Sequence, residues 1–379
     1  MFTDIRTGNL GTQMKPVIGR SAVIRKLLIA GLLVSLLAGC TVVGPSAIRN
    51  GRLTYNQALN ETNNQQMLLA VVHNRYEETA SLLAVASVTA NVSVTASTRV
   101  QLGFGDDDDY RGNLVPFTAG AVYEENPTIS YVPVAGAKYT QQVFSPVPLS
   151  VFAKLTASMV DPRYVYYALV SSVNGIRSPD FLFPEESLNP DFDRFVAIMA
   201  GLTQARRLHW VEAPQKAGVL SIVIQDYAPD YSNEVSELMA LLHLPAPADN
   251  SPPLILPVSL ALDGRESGGM GITLRSVGDL AEILSAAIEV PEQDLRTGVA
   301  ASFPPPGLAG KDLRVKYNAK TPESAAVAVP YRGGWFFIDE TDQATKRFFR
   351  LLSALWSVTI ADSTAHHAAA PVLTVPVSR

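Results

Sequence analysis

The sequence predicts an α+β fold in two lobes, and three observations support this prediction. Apolar residues recur at helical spacing in some segments and alternate with polar residues in others, so helices and strands are both expected. Several strand patterns lie next to each other, as in hairpins, which is typical of α+β folds rather than of a doubly wound parallel sheet. The stretch Glu212–Gly218, which contains a proline and a glycine, separates an N-terminal lobe over residues 51–211 from a C-terminal lobe over residues 219–379.

Residues 1–39 have the pattern of a secretory signal. Arg20, Arg25 and Lys26 precede an apolar run over residues 27–37. At about 1.5 Å per residue, this run is too short to cross roughly 30 Å of hydrocarbon, so a transmembrane helix is not expected. The basic flank and short apolar run indicate a cleaved signal. Translation of the precursor starts either at the first residue or at Met14.

The signal ends in Leu37-Ala38-Gly39-Cys40, which resembles a bacterial lipobox. This resemblance implies cleavage between Gly39 and Cys40 and a diacylglyceryl group on the cysteine, which would hold the protein to a membrane. The alternative is a lone buried cysteine after a core helix. Because Thr41 rather than Asp follows Cys40, the resemblance implies the outer membrane, facing the periplasm, with the inner membrane as the alternative.

The N-terminal lobe begins with a lipidated tether over residues 40–50 and a helix near residues 54–76. Small and β-branched residues then alternate over residues 81–104, which predicts a strand or hairpin. Because the exposed face of this segment would carry little charge, three interpretations stay open: a half-buried sheet, a strand that joins an oligomer, and a surface that lies on a membrane.

Two further helices are predicted in this lobe. The first covers residues 149–173 and is interrupted near Asp161-Pro162, and the second covers residues 189–209, where an Asn-Pro pair provides the N-cap and first turn. We interpret residues 171–177 as the exit from a helix, with Gly175 in the left-handed conformation.

The C-terminal lobe is predicted to hold a mixed sheet with flanking helices. Strands are predicted over residues 219–227, 254–262, 271–275, 313–317, 325–331, 335–339 and 372–377, and helices over residues 232–243, 276–289 and 342–360. Ser276 and Asp279 have the spacing of a capping box. The run over residues 335–337, Trp-Phe-Phe, predicts a strand buried on both faces, with an exposed partner-binding patch as the alternative.

The composition excludes several classes of protein. The chain of 379 residues is 47% hydrophobic and 17% charged, which is enough for a core without disulfide or metal support. Its single cysteine excludes an intrachain disulfide and zinc sites of paired cysteines. Five basic side chains and one acidic side chain fall in residues 1–40, so the net charge of −5 becomes −9 for residues 41–379. This acidic body argues against nucleic-acid binding and against electrostatic attraction to anionic lipid.

Two motifs raise the possibility of chemistry. The carboxylates of Asp106–Asp109 lie between glycines and could bind calcium, but they lack the spacing of an EF-hand loop, and a solvated acidic turn is the simpler interpretation. Residues 264–269 contain Ser267 in a glycine-rich context, so a hydrolase could use Ser267 with His209 or His243. A glycine-rich turn between strands explains the same residues, and neither a phosphate-binding nor a dinucleotide-binding motif is complete.

Short segments along the chain resemble a group of uncharacterised bacterial lipoproteins. The resemblance covers most of residues 44–360, but each segment is short and none carries chemistry. The segments are Arg49-Asn50-Gly51-Arg52, Tyr55-Asn56, Gln65-Gln66-Met67-Leu68-Leu69, Arg75-Tyr76, Asn126-Pro127-x-Ile129-Ser130-Tyr131, Ser145-Pro146-x-Pro148-Leu149 and Trp335-Phe336-Phe337-Ile338-Asp339.

These patterns together predict a lipid-anchored protein of the cell envelope. We expect a non-enzymatic role, in which the body binds another envelope component or assembles with itself, and no cofactor. A periplasmic hydrolase with an unrecognised active site is the rival hypothesis.

Overall fold

The computed structural model describes much of the chain beyond the signal. The described residues are 53–80, 82–89, 92–100, 117–125, 128–134, 137–159, 161–178, 189–212, 220–246, 253–261, 268–300, 302, 312–364 and 373–376. Gly39, Cys40, the tether and the Asp106–Asp109 loop lie outside these residues. Helices and mixed sheets are both present, so the predicted α+β class is confirmed.

The bounds of the elements are as follows. The helices are α1 (residues 53–75), α2 (Ala137–Phe144), α3 (Leu149–Ser158), α4 (Arg163–Leu169), α5 (Pro190–Gln204), α6 (Ser232–Leu241), α7 (Val277–Ala286), α8 (Glu292–Arg296) and α9 (Gln343–Thr364). The strands are β1 (Leu82–Thr89), β2 (Val92–Val100), β3 (Phe117–Glu125), β4 (Thr128–Val134), β5 (Val170–Val173), β6 (Ile176–Arg177), β7 (Leu208–Glu212), β8 (Leu220–Ile224), β9 (Leu254–Leu260), β10 (Met270–Leu274), β11 (Lys316–Asn318), β12 (Ala325–Tyr331), β13 (Gly334–Asp339) and β14 (Leu373–Pro376).

The largest sheet has six strands in the order β6-β5-β10-β9-β8-β7. β9 and β10 run parallel, and the other neighbouring strands run antiparallel. Side chains alternate between the two faces of the sheet. Ile222 and Leu256 are register partners on the buried face, whereas Val211 and Ile255 are exposed.

The main core lies between this sheet and helices that contact it, which include α3, α4 and α5. Phe152 of α3 packs edge-on against Trp210 of β7, with ring centroids 5.8 Å apart. Helix α5 begins where the sequence predicts, because the side chain of Asn189 accepts hydrogen bonds from the backbone N–H groups of Asp191 and Phe192. Phe192 is then carried into the core with no exposed surface.

The C-terminal elements lie close to their predicted positions. The capping box of α7 is confirmed, since the N–H of Asp279 donates to Ser276 Oγ at 3.1 Å and the N–H of Ser276 donates to Asp279 Oδ2 at 2.8 Å. In β13, Phe336 and Phe337 point to opposite faces and both are buried, so the prediction of a doubly buried strand is confirmed.

The segment at the predicted lobe boundary joins two neighbouring strands. β7 and β8 pair along their whole length, from Leu208 opposite Ile224 to Glu212 opposite Leu220. Strands from both predicted lobes therefore share the six-stranded sheet. By compactness the chain divides into two units. One consists of Met1–Leu59 and Val92–Glu124, and the other of Asn60–Asn91 and Glu125–Arg379.

The strand pattern predicted over residues 81–104 contains β1 and β2. These strands do not pair with each other: β1 pairs antiparallel with β4 in the sheet β1-β4-β14, and β2 pairs with β3 in a two-stranded sheet. The oligomer and membrane interpretations of this segment stay predictions.

Residues 171–177 form a hairpin, so the predicted helix exit is wrong. Helix α4 ends at Leu169, and β5 and β6 pair around a two-residue turn of Asn174 and Gly175. Both turn residues have positive φ, 44° and 88°, as a type I′ turn requires. The left-handed conformation predicted for Gly175 is confirmed, but it belongs to a turn between strands.

Candidate functional site

A cleft of about 370 Å³ lies where the end of α1 meets the sheet β11-β13-β12 and the start of α8. We call it the aromatic cleft, because four of its eight lining residues are tyrosine or phenylalanine. Its lining residues are Tyr76, Pro291, Gln293, Asp294, Tyr317, Tyr331, Arg332 and Phe336.

The end of α1 positions the first wall of the cleft. Glu77 adopts a left-handed conformation with φ 57°, the N–H of Glu77 donates to the carbonyl of Asn74, and the N–H of Glu78 donates to the carbonyl of His73 at 2.9 Å. This is a Schellman motif, which ends the helix and reverses the chain. The reversal places the Glu78 carboxylate 3.4 Å from the Arg332 guanidinium.

The turn between β12 and β13 supplies the opposite wall. Tyr331 pairs with Gly334, which leaves Arg332 and Gly333 as a two-residue turn with φ of 48° and 80°. This is again type I′ geometry, which non-glycine residues other than Asn and Asp rarely adopt. Arg332 is thus held in an unfavourable backbone conformation at the mouth of the cleft, a kind of strain that clusters at functional sites.

The aromatic rings form a connected network. Tyr76 lies 5.1 Å from Tyr331 and 6.1 Å from Phe336 between ring centroids, and Tyr317 lies 5.2 Å from Phe336. Tyr76 and Phe336 are buried, whereas Tyr317 and Tyr331 are partly exposed. The buried pair therefore supports the two partly exposed rings that line the cleft.

Gly334 fixes the place of one of these rings. A Cβ atom at this position would overlap the ring of Tyr317, so only glycine leaves room for the ring as it stands. The ring of Tyr317 is consequently packed against backbone on one side and is open to the cleft on another.

Polar groups lie beside the rings. Tyr76 Oη donates to Asp294 Oδ2 at 2.8 Å, and the Arg332 guanidinium lies 5.5 Å from the centre of the Tyr76 ring. Burial raises the pKa of Tyr76, and the hydrogen bond to Asp294 raises it further, so the phenol keeps its proton at neutral pH. The residues that line the cleft include no serine, cysteine or lysine. The cleft thus presents aromatic faces, one carboxylate and one guanidinium, which are groups that can bind a small ligand.

The predicted catalytic residues do not come together in the described part of the chain. Ser267 lies outside the described residues. His243 has φ 55° at the end of α6, where Leu244 N–H donates to the carbonyl of Met239, so it occupies the left-handed position of a second Schellman motif. His209 is exposed on β7, with its Nε2 3.1 Å from the Arg206 carbonyl oxygen. His243 therefore belongs to a helix end and His209 to a strand near the Arg206 turn, and neither histidine lines the aromatic cleft.

Other predicted sites lie elsewhere or outside the described residues. Cys40 and Asp106–Asp109 are among the residues that the structure does not describe. Within the described ranges, no group of three or more His, Cys, Asp or Glu side chains is placed to hold a metal ion. No helix in the described part of the chain is long and apolar enough to cross a membrane.

Sequence reasoning missed the aromatic cleft because its residues are far apart in the chain. Tyr76 and Asp294 are separated by 218 positions. A local signal was present in Tyr331-Arg332-Gly333-Gly334. Two glycines between strand patterns indicate a tight hairpin turn, which would place Tyr331 and Arg332 at the tip of the hairpin.

Comparison with known proteins provides no relative for this chain. It matches no protein-family model, no curated protein and no solved structure.

Proposed function

We propose that this chain is a lipid-anchored protein of the cell envelope whose body binds a glycan non-covalently in the aromatic cleft. The cleft carries the proposal, because it sets two partly exposed tyrosine rings beside a carboxylate and a guanidinium. The lipobox-like end of the signal supports attachment through Cys40, with the outer membrane as the proposed location.

The chemistry of the cleft fits a sugar ring. A sugar presents C–H groups on its faces and hydroxyl groups around its rim. The C–H faces can pack on Tyr317 and Tyr331, while the rim hydroxyls need an acceptor such as the Asp294 carboxylate and a donor such as the guanidinium. The volume of about 370 Å³ is within the range of small-ligand sites. In the envelope, the glycan strands of the cell wall offer such rings in quantity.

Several features support binding over catalysis. The Tyr76 phenol keeps its proton and is already bonded to Asp294, so it is a fixed donor and not a nucleophile. The Arg332 guanidinium is engaged with Glu78 and with the Tyr76 ring. Neither a base next to a nucleophile nor an open metal position is found among the residues lining the cleft.

The test is co-sedimentation of the full-length protein, solubilised in detergent, with purified peptidoglycan sacculi. Wild-type protein is expected in the pellet, and Tyr317→Ala should bind about fivefold more weakly or worse, because losing an aromatic contact costs about 1 kcal/mol beyond buried area. Tyr317→Phe is the matched control, since it keeps the ring and should sediment like wild type.

Urea midpoints of the three proteins establish that each is folded. Wild-type protein that stays in the supernatant would overturn the proposal. So would a folded Tyr317→Ala protein that sediments as well as wild type.

A further inference from the structure

A second cleft lies at the other end of the contact between α1 and the β12–β13 hairpin. Asn64 lines it, twelve positions before Tyr76, so the two clefts are separated by roughly 18 Å along the helix axis. Its volume is about 460 Å³. We call it the basic groove, after Lys346, Arg347 and Arg350 of α9, which line one side.

The three cations share one side of α9, because Arg350 lies one helical turn after both Lys346 (i+4) and Arg347 (i+3). Lys346 is already neutralised, since its Nζ contacts Glu340 Oε1 at 2.5 Å. Among the described residues, neither Arg347 nor Arg350 forms an ion pair with a carboxylate. The Arg347 guanidinium lies 5.6 Å from the centre of the Tyr164 ring.

The carboxylate of Asp161, which lies near Arg347, is paired with another arginine. Asp161 is close enough for Arg347 to help lower its pKa, but a larger cause is its hydrogen bond with Arg163, whose Nη2 lies 2.8 Å from Asp161 Oδ2. Arg347 and Arg350 thus line the groove without an ion-pair partner in the described part of the chain, on a body whose net charge is −9 over residues 41–379. A local excess of positive charge on an acidic protein indicates a site for an anion.

The interior of the groove adds two further observations. Ser353 Oγ is buried and has no hydrogen-bond partner within the described part of the chain, although buried hydroxyl groups are normally satisfied. Val327, Ile338 and Phe349, which are all buried residues, form an apolar floor. The groove therefore combines a cationic rim, an unused polar group and an apolar base.

We infer that the basic groove binds a phosphate-bearing ligand with an apolar portion. The forked guanidinium groups match the oxygen geometry of a phosphate, and the apolar floor accommodates the attached chain. This inference does not depend on the aromatic cleft or on the glycan proposed to bind there. A lipid head group and a soluble phosphate ester share the chemistry, and the experiment distinguishes them.

The experiment is calorimetric titration of the full-length protein with three probes. They are dihexanoyl-phosphatidylglycerol below its micelle concentration, glycerol 1-phosphate, and dihexanoyl-phosphatidylcholine as the zwitterionic control. We expect the phosphatidylglycerol to bind at least tenfold more tightly than the other two, with affinity that falls as salt is raised. Equal binding of glycerol 1-phosphate would support the anion site but contradict a role of the apolar floor, and would identify a soluble ester as the ligand.

Substitutions locate the site. Arg350→Gln should weaken binding about tenfold. Arg177→Gln, the same change at an exposed arginine on β6, should leave it unaltered. Absence of binding by both probes that carry a net negative charge, phosphatidylglycerol and glycerol 1-phosphate, would overturn the inference. Equal affinities of wild type and a folded Arg350→Gln protein would also overturn it.

Discussion

Asn174 ties three elements together, so substituting it should be unusually destabilising. Its Nδ2 donates to the carbonyls of Leu242 at 2.7 Å and Gly269 at 3.1 Å, and its Oδ1 accepts from the N–H of Gly271 at 2.6 Å. The residue is 8% exposed, and its φ is 44°. One side chain thus joins the β5–β6 turn to β10 and to the end of α6.

The magnitude follows from these contacts. Three buried hydrogen bonds contribute about 1 kcal/mol each to the free energy of unfolding, so their loss costs about 3 kcal/mol. Alanine also lacks the short polar side chain that helps asparagine adopt a left-handed backbone. This difference adds about 1 kcal/mol to the loss of stability in Asn174→Ala. Asn174→Gly loses the same hydrogen bonds but relaxes the backbone, which recovers about 1 kcal/mol. We expect losses of about 4 kcal/mol for alanine and about 2 kcal/mol for glycine.

Urea unfolding followed by circular dichroism measures both losses. Asn63→Ala, at an exposed position on α1, is the control and should change stability by less than about 0.5 kcal/mol. Alanine and glycine variants that both unfold within 0.5 kcal/mol of wild type would refute the hydrogen-bond argument. Equal losses for the two variants would refute the backbone argument.

Three other changes test the anchor, the cleft and the core. Cys40→Ala should abolish incorporation of labelled palmitate and move the protein from the membrane fraction to the soluble fraction; a variant that is still labelled would contradict lipidation at this residue. Gly334→Ala should displace the Tyr317 ring and weaken binding to sacculi while β12 and β13 stay paired, as amide exchange can establish. Burial raises the pKa of Tyr166, so the folded state holds its proton above pH 10, where the unfolded chain releases it. The contribution of Tyr166 to stability should therefore be constant below about pH 10 and fall as pH rises further, so the loss of stability above pH 10 should be less steep in Tyr166→Phe. The same variant should gain about 1 kcal/mol at pH 7, because the Tyr166 hydroxyl has no hydrogen-bond partner among the described residues; a loss would contradict this.

Local patterns were enough to predict the class of the fold and most elements of the C-terminal half. Strand and helix periods, the Asn189 cap and the Ser276 capping box depend on residues within one turn of each other, so sequence spacing reveals them. The break between α3 and α4 at Asp161-Pro162 was predictable for the same reason, since proline lacks the N–H that a continuing helix needs.

The errors arose where tertiary pairing overrides a local pattern. Leu208–Glu212 follows α5 after a left-handed Arg206, and the helical pattern does not show that this segment becomes an edge strand of the sheet. Asn174-Gly175 is a strong hairpin signal, but the preceding helix pattern hid it. The aromatic cleft depends on contacts between residues more than 200 positions apart, which no local period encodes.

The most direct test of the proposed function is calorimetric titration of the full-length protein with soluble peptidoglycan fragments released by a muramidase. The proposal predicts saturable binding of one fragment per chain. It also predicts affinity about tenfold weaker in Arg332→Asn, which removes the guanidinium but suits the left-handed backbone, so the urea midpoint should stay near that of wild type. Absence of heat with wild-type protein, or unchanged affinity in the folded Arg332→Asn protein, would contradict binding in the aromatic cleft.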